Sequence, residues 1–468
     1  MAIDFGMLQG MNPRMVNVDR QTPMLLPPDL RDWVPADDLV HFVIEAVESM
    51  NLSTLSFNRR GSGSEQYPPR MMLSLLIYCY ANGLFSSRRI ERATWHHLAV
   101  RYLTGDTHPD HDTICKFRRE NFEAVKEAFV GVLQLARQMG VLKVGTVSID
   151  GTHLKANASK SRTVRYDRAG DLDRQLEGEI VELLKKAEQF DQQDGDDGQR
   201  LPEQIARRSK LREQIQQARA ALEDQAKARA QAERPEYERK LAAYRACKAQ
   251  RRWGGPQRTP MPPRDEVKPG DSINLTDPDS RVMRKNLGES YQQSYNAQAT
   301  VDADGTMLML AAHVITAPAD FGQLEVGVQK VDPSLGQVKA ALADAGYLKA
   351  ESIATLEQQG VDVYVAVTRE QNHADGRIEL RRTQDKPERM ISTPIVQAMH
   401  AKLNTKEARK TYRKRQQSVE PVFGIIKSAM GFRQFFLRGL TNVSGEWSLV
   451  GLAYNFKRLW RLRQALAA

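Results

Sequence analysis

From Asp37 to about Gly140, apolar residues recur at helical spacing between short polar breaks. The segment 68–83, PPRMMLSLLIYCYANG, carries proline at its first turn and Gly83 at its end, which is how a helix starts and stops. Ser86 and Ser87 can cap the run 88–103, and Asp112 or Thr113 can cap a long helix over 114–140. After a proline-punctuated lead-in, TPMLLPPDL, these signals predict a compact all-α bundle over residues 1–140. A helix-turn-helix arrangement is one form it could take. The last helix begins with Lys116, Arg118 and Arg119, the pattern of a groove-facing, DNA-binding helix; an ordinary solvated face gives the same pattern.

At about residue 143 the pattern changes to a short apolar run, KVGTVSID, ending in Asp150 and Gly151. It reads as a strand running into a turn. From Arg165 to roughly Glu266 the chain is rich in Gln, Glu, Lys, Arg and Ala. Leu172, Leu176, Ile180, Leu183 and Leu184 recur at helical spacing, as do Leu201, Ile205, Leu211, Ile215, Ala218 and Leu222. QQDGDDGQR separates the two sets, and RWGGPQRTPMPPRDEVKPGD ends the second. This predicts a helical hairpin or coiled-coil arm. Strand character returns in SYNAQATVDADGTMLMLAAHVITA, with a hairpin turn at Ala303-Asp304-Gly305. A helix (FGQLEVGVQKV), a strand ending at Asp344, a second helix and the strand VDVYVAVT follow. Residues 370–395 read as loop, and the remainder as helix. The fold class is therefore α/β: a mixed sheet interrupted by a large helical insertion, behind an all-α N-terminal domain. The expected boundaries are 1–140, 141–164 (first part of the core), 165–270 (arm), 271–430 (second part) and 431–468 (basic helical segment).

Charge sharpens this picture at one end. The formal charge of the 468-residue chain is +10. From Ala401 to Ala468 there are 14 Lys/Arg and 3 Asp/Glu, so this segment alone carries 14 − 3 = +11. Such a concentration suits a polyanion, because neutralising phosphates releases counterions; a solubilising helical tail would look the same. Cys79, Cys115 and Cys247 are scattered, which suggests neither a disulfide framework nor a zinc site. With no secretory leader and no long apolar run, a soluble cytoplasmic protein is expected.

The candidate chemistry lies in the carboxylates. Asp150 and Asp344 both sit where strands are expected to end, the place where open α/β sheets gather ligands. Carboxylates suit Mg²⁺ or Mn²⁺, and two such ions about 4 Å apart support in-line displacement at a phosphodiester. Glu420 is the candidate third carboxylate, and Lys427, seven residues on, can hold a phosphate. Pro421 suggests that a helix starts or kinks at Glu420. Each carboxylate alone has an ordinary reading, as a turn residue or an exposed glutamate; the combination, in basic surroundings, points to chemistry. The cluster Asp106, His108, Asp110, His111 and Asp112 could bind a metal but also fits turn and cap duties. His153 could touch substrate, and Asn274, Asp277, Asp279 and Arg281 could shape the site. Trp253 and Trp447 could stack on a base, although core packing is the usual role of tryptophan.

The motifs SIDGT, NLTDPDSRVM, YNAQATVD, ADAGY and VEPVFGIIK, in this order, together resemble bacterial insertion-sequence DDE transposases with an RNase H-like catalytic core. YPPRMMLSLLIYCYANGLFSSRRIE and PDHDTICKFRREN are similar to the helical N-terminal domain of that group, so the resemblance covers about residues 20–460. It implies metal-dependent cleavage and strand transfer at terminal inverted repeats, in a nucleoid-associated protein acting on duplex DNA as a homodimer. Asp150, Asp344 and Glu420 would be the catalytic, metal-binding triad for two Mg²⁺ ions, with Mn²⁺ as substitute. Lys427 would be the lysine that follows the glutamate. The family's tyrosine and arginine fall one position off: four residues separate Arg415 from Glu420 where the family has three. Either Tyr412 and Arg415 take those DNA-binding roles, or Arg413 does. A nuclease of the same core type that does not join, and a DNA-binding regulator with a dead site, are the alternatives.

Overall fold

Residues 29–57, 66–191, 201–249, 259–284, 288, 290–367 and 394–467 are described by the computed structural model. Most of the lead-in, the QQDGDDGQR separator, Trp253 and the loop expected over 370–395 lie outside or largely outside these residues.

The N-terminal helices are α1 (Leu39–Ser49), α2 (Pro69–Ala81), α3 (Ser87–His96), α4 (Leu98–Thr104), α5 (His111–Glu120) and α6 (Phe122–Gln138). Helix α2 follows the expected punctuation, with proline in its first turn and Gly83 at φ +79°. A Cβ at Gly83 would also lie 2.8 Å from the Met430 carbonyl oxygen, so conformation and close approach both demand glycine. The two longer helices expected here are each split. His97 is extended between α3 and α4. Asn121 separates α5 from α6, its amide donating to the Phe117 carbonyl and its Oδ1 accepting from Ser56 N; such local bonds compete with the helix ladder. The cap of α5 is Asp110, which accepts from Thr113 N, rather than Asp112 or Thr113.

The chain then enters β1 (Thr146–Lys155) and β2 (Thr163–Arg165), followed by α7 (Tyr166–Asp191) and α8 (Leu201–Ala249). These two helices form the arm, and it runs antiparallel: Tyr166 bonds Glu223, Asp173 pairs with Arg212, and Glu179 with Arg208. Strand β3 (Ser272–Asn274) pairs antiparallel with β2 and closes the neck of the insertion. Next come β4 (Arg281–Met283), β5 (Gln292–Asp302), β6 (Met309–Ile315), α9 (Gln323–Gln329), β7 (Ala340–Ala343), α10 (Ala350–Gln358) and β8 (Asp362–Val365). The main sheet runs β4-β5-β1-β7-β8, with β6 also on β5. Strand β1 is antiparallel to β5 and parallel to β7, and β7 is parallel to β8. The mixed sheet and its helical interruption are therefore as expected. One detail differs: β1 does not end at Asp150. Its pairing with β5 carries it on to Lys155, whereas its parallel ladder with β7 stops at Ser148 and Leu342.

The C-terminal part holds α11 (Pro394–Leu403), α12 (Lys406–Gly424), a π-helical turn (Ile425–Ala429) and α13 (Leu440–Ala467). Helix α12 begins on its Thr405 cap and runs through Pro421, so no helix starts at Glu420. Nor is the last segment an outer tail. Trp447, Leu449, Val450, Leu452, Ala453, Phe456 and Leu459 of α13 are fully buried. That helix packs against α2, α6 and β6, and one apolar core runs from Val34 to Leu459. The N-terminal helices thus share a core with the sheet instead of forming a bundle of their own.

This shared core corrects one DNA-binding assignment. Arg118 is 3% exposed; its guanidinium donates to the Tyr80 hydroxyl at 2.8 Å and the Phe85 carbonyl at 3.0 Å. Tyr80 in turn donates to Glu446 of α13, which also accepts from the Phe436 and Leu437 amides. Arg118 balances a buried carboxylate and cannot face a groove; Lys116 and Arg119 on the same helix are exposed.

Candidate active site

Asp150 and Asp344 occupy matching places on adjacent parallel strands, each two residues beyond the last paired couple, Ser148 and Leu342. Asp150 is 18% exposed. Its Oδ1 accepts from Gly151 N at 2.8 Å and its Oδ2 from Arg415 at 3.1 Å. Burial pushes its pKa up to about 7; Arg415 pulls the other way, and Asp344 and Asp320 add to the rise. Asp344 follows β7 and opens the turn Ala345–Tyr347, its Oδ1 accepting from Gly346 N at 2.8 Å.

Helix α12 packs over β1, β5 and β7. From it Arg415, only 11% exposed, reaches Asp150 with one nitrogen and Glu420 with another, at 3.4 Å. Burial opposes the charge of Arg415, but Asp150, Tyr412, Asp344 and Glu420 hold its pKa above the ordinary value. Tyr412 hydrogen-bonds Arg415 and is itself raised, chiefly by burial. Of the two arginines weighed for the motif, it is Arg415 that reaches the carboxylates. Glu420 is half exposed. On the following π turn Lys427 donates to the Thr152 hydroxyl, two residues beyond Asp150.

Asp320, in the loop before α9, enters the same site and had no signal of its own in the sequence. Its Oδ1 accepts from Asn296 at 2.8 Å and Gln298 at 2.6 Å, both on β5. Tyr347 donates to the Gln298 side chain, and the buried Trp447 indole donates to the Gln298 carbonyl at 2.8 Å. A readable hint did exist: Asn296, Gln298 and Thr300 alternate along β5 and are at most 1% exposed. A strand that buries a polar face is satisfying a site or a network.

The donor set of Asp150, Asp320, Asp344 and Glu420 is all hard oxygen, which fits Mg²⁺ or Mn²⁺. Among the described residues no three metal-ligating side chains converge on a common point, and Arg415 lies between Asp150 and Glu420. The remaining candidates fall outside the site. Asp106 pairs with Arg101, His108 stacks on Trp95, Asp110 caps α5 and His111 pairs with Glu91, so no metal cluster forms there. His153 bonds the Pro318 carbonyl. Asn274 bonds the Ser159 carbonyl, Asp277 accepts from Tyr295 and Gly439 N, Asp279 from Leu440 N, and Arg281 bonds Gln225 of the arm. Trp447 is sealed in the core and cannot stack on a base.

Comparison with known proteins gives two family matches. Residues 28–120 match the family model described as Transposase domain (DUF772), and residues 379–460 match Transposase DDE domain. The second match carries Arg415, Glu420 and Lys427; Asp150 and Asp344 lie between the two. No curated protein and no solved structure matches the chain. With a match to a transposase domain towards one end, a match to a DDE domain towards the other and two strand-end aspartates between, the chain is similar to the insertion-sequence DDE transposases.

Proposed function

We propose that this chain cuts DNA at the terminal inverted repeats of an insertion sequence and joins the freed 3′ ends to target DNA, using an RNase H-like core. The observation that carries the reading is the pairing of Asp150 with Asp344 beyond two parallel strands, under a helix bearing Arg415 and Glu420. The sheet supports the core assignment: an antiparallel set, β1, β5 and β6, continues into parallel β7 and β8. Asp150, Asp344 and Glu420 would hold two Mg²⁺ ions, or Mn²⁺. Metal would supply the activation of a water or 3′-hydroxyl and the neutralisation of phosphate charge.

The protein's own groups do the rest. Arg415 and Lys427 bring cationic donors to a phosphate, and Tyr412 orients Arg415. Lys116, Arg119 and Arg413 are further phosphate contacts. Nothing in the arrangement calls for a covalent protein–DNA intermediate. Holding two ends together asks for two copies on DNA, and the arm offers a contact, since Val181 and Leu184 of α7 are exposed.

The test is cleavage of DNA carrying the element's ends, with Mg²⁺ or Mn²⁺, by the parent and by Asp344→Asn. Metal-dependent nicks at the end boundary, lost in the variant, are expected, together with joined products. Nicks without joining would indicate a nuclease, and binding without nicks a regulator. Solution mass with and without end DNA tests the dimer; a monomer in both would refute it.

A further inference from the structure

We propose that Asp320 and Asp344 together bind one divalent cation in the space beside Gly346, which makes Asp320 a fourth carboxylate of the site. The inference rests on the metal-dependent reading above and names a ligand that reading lacks. A methyl group added at Gly346 would lie 3.0 Å from Asp344 Oδ1 and 3.7 Å from Asp320 Oδ2, so the two carboxylates flank one small space. Gly346 is not among the residues with positive φ, so its backbone does not demand glycine. What the missing side chain provides is room. Beside Asp150 a Cβ at Gly151 would fall 2.2 Å from Gln298 Nε2, 2.4 Å from Asp320 Oδ1 and 2.7 Å from Asn296 Oδ1, so that glycine makes room for Asp320 and the amides that hold it. Thus each aspartate of the pair is followed by a glycine that admits Asp320.

Asp320 is also held in place. The Asn296 and Gln298 amides both donate to Oδ1, while Oδ2 is the atom that borders the space. Charge points the same way. Arg415 pairs with Asp150 and Glu420; among the described residues no cation forms an ion pair with Asp320 or Asp344. Two carboxylates at a shared space, neither in an ion pair and with Arg415 acting on Asp344 only from beyond contact distance, favour a small cation. A pair suffices, because Mg²⁺ keeps several waters and is usually held by one or two carboxylates plus substrate phosphates.

The experiment is calorimetric titration of Mn²⁺ into the full-length protein: parent, Asp320→Asn and Gly346→Ala, with metal-free melting curves to read folding. Asparagine keeps an oxygen for the two amides, and alanine fits the backbone but fills the space. Both variants should melt like the parent without metal yet bind Mn²⁺ roughly tenfold more weakly or worse. Parent-like Mn²⁺ binding by Asp320→Asn would overturn the proposal and leave Asp320 a strut for Asn296 and Gln298. If that variant does not fold, Gly346→Ala decides alone, and undiminished binding there is equally fatal. A parent that takes up no Mn²⁺ refutes the metal-dependent reading itself, whereas a binding parent with unaffected variants refutes only the role of Asp320.

Discussion

The body and the arm of this protein are held together by different forces. In the body, helices from both ends of the chain and the sheet between them share one apolar core. Among the described residues of the arm, α7 and α8 bury two small groups, Ala169, Leu176 and Ile215 in one, Ala218, Leu222 and neck residue Ile273 in the other, and Ala226 besides. Further out the helices are joined by ion pairs such as Arg208–Glu179. Apolar burial stabilises at about 25 cal/mol per Å², whereas exposed ion pairs contribute on the order of 0–1 kcal/mol. The carboxylates therefore stand on the region with the large shared core, and the arm is the region expected to open more easily.

The sharpest way to break the body is to leave a charge stranded in it. Arg118→Met removes the cation that faces Glu446 through Tyr80, and burial already raises the pKa of Glu446. A loss of about 3–5 kcal/mol is expected, as for one partner of a buried pair. Melting of Arg118→Met against the double variant with Glu446→Gln measures it: the second change should return part of the loss. No recovery would mean that Arg118 acts by packing alone.

The site itself strains the body, and pH reveals by how much. The folded pKa of Asp150, about 7, lies above its unfolded value of 3.8, so between these pH values the folded chain holds the extra proton. Its contribution is most favourable below about pH 4 and declines as pH rises through 7. The total is on the order of a few kcal/mol. Metal-free protein should therefore lose melting temperature from pH 6 to pH 8. Asp150→Asn should lose less and be the more stable of the two at pH 8. Equal slopes for the two proteins would show that the carboxyl is already ionised at pH 6.

These residues also show what could be read along the chain and what could not. Helix α2, the arm, the turn near Gly305 and the place of Asp344 follow from local signals: proline and glycine punctuation, heptad-like spacing and alternation. Asp150 looked terminal because Asp-Gly suggests a turn, yet β1 is prolonged by its antiparallel partner β5, fixed some 150 positions downstream. Arg118 looked solvated because a helix pattern does not reveal that α13 will bring Glu446 to it. Asp320 was silent for the same reason, since its neighbours come from β1, β5 and the turn after β7. What stayed hidden was made by long-range contacts.

In the arm the same kind of change should have a smaller and more local effect. Ile215→Ala removes a side chain that is 1% exposed, next to Leu176 and Ala169. It should lower the opening free energy of α7 and α8 by about 2–3 kcal/mol. Hydrogen exchange should show faster exchange along both helices and unchanged protection in β1, β5 and β7. Equal loss in the sheet would mean that arm and body unfold as one unit, and the contrast drawn here would fail.

The smallest effect is expected from the arm's charges. Arg212→Gln breaks contacts of 2.9 Å to both Asp173 and Glu177, on side chains that water already reaches. Salt should mimic it, because screening at high ionic strength weakens exposed pairs and leaves apolar burial intact. Raising salt should therefore speed exchange at the arm's outer turns in the parent, and do so less in Arg212→Gln. The body's melting point should hardly move in either protein. If it fell in step with the arm, these pairs would be supporting the sheet through the β2–β3 neck, and the arm would be part of the rigid frame that holds the carboxylates.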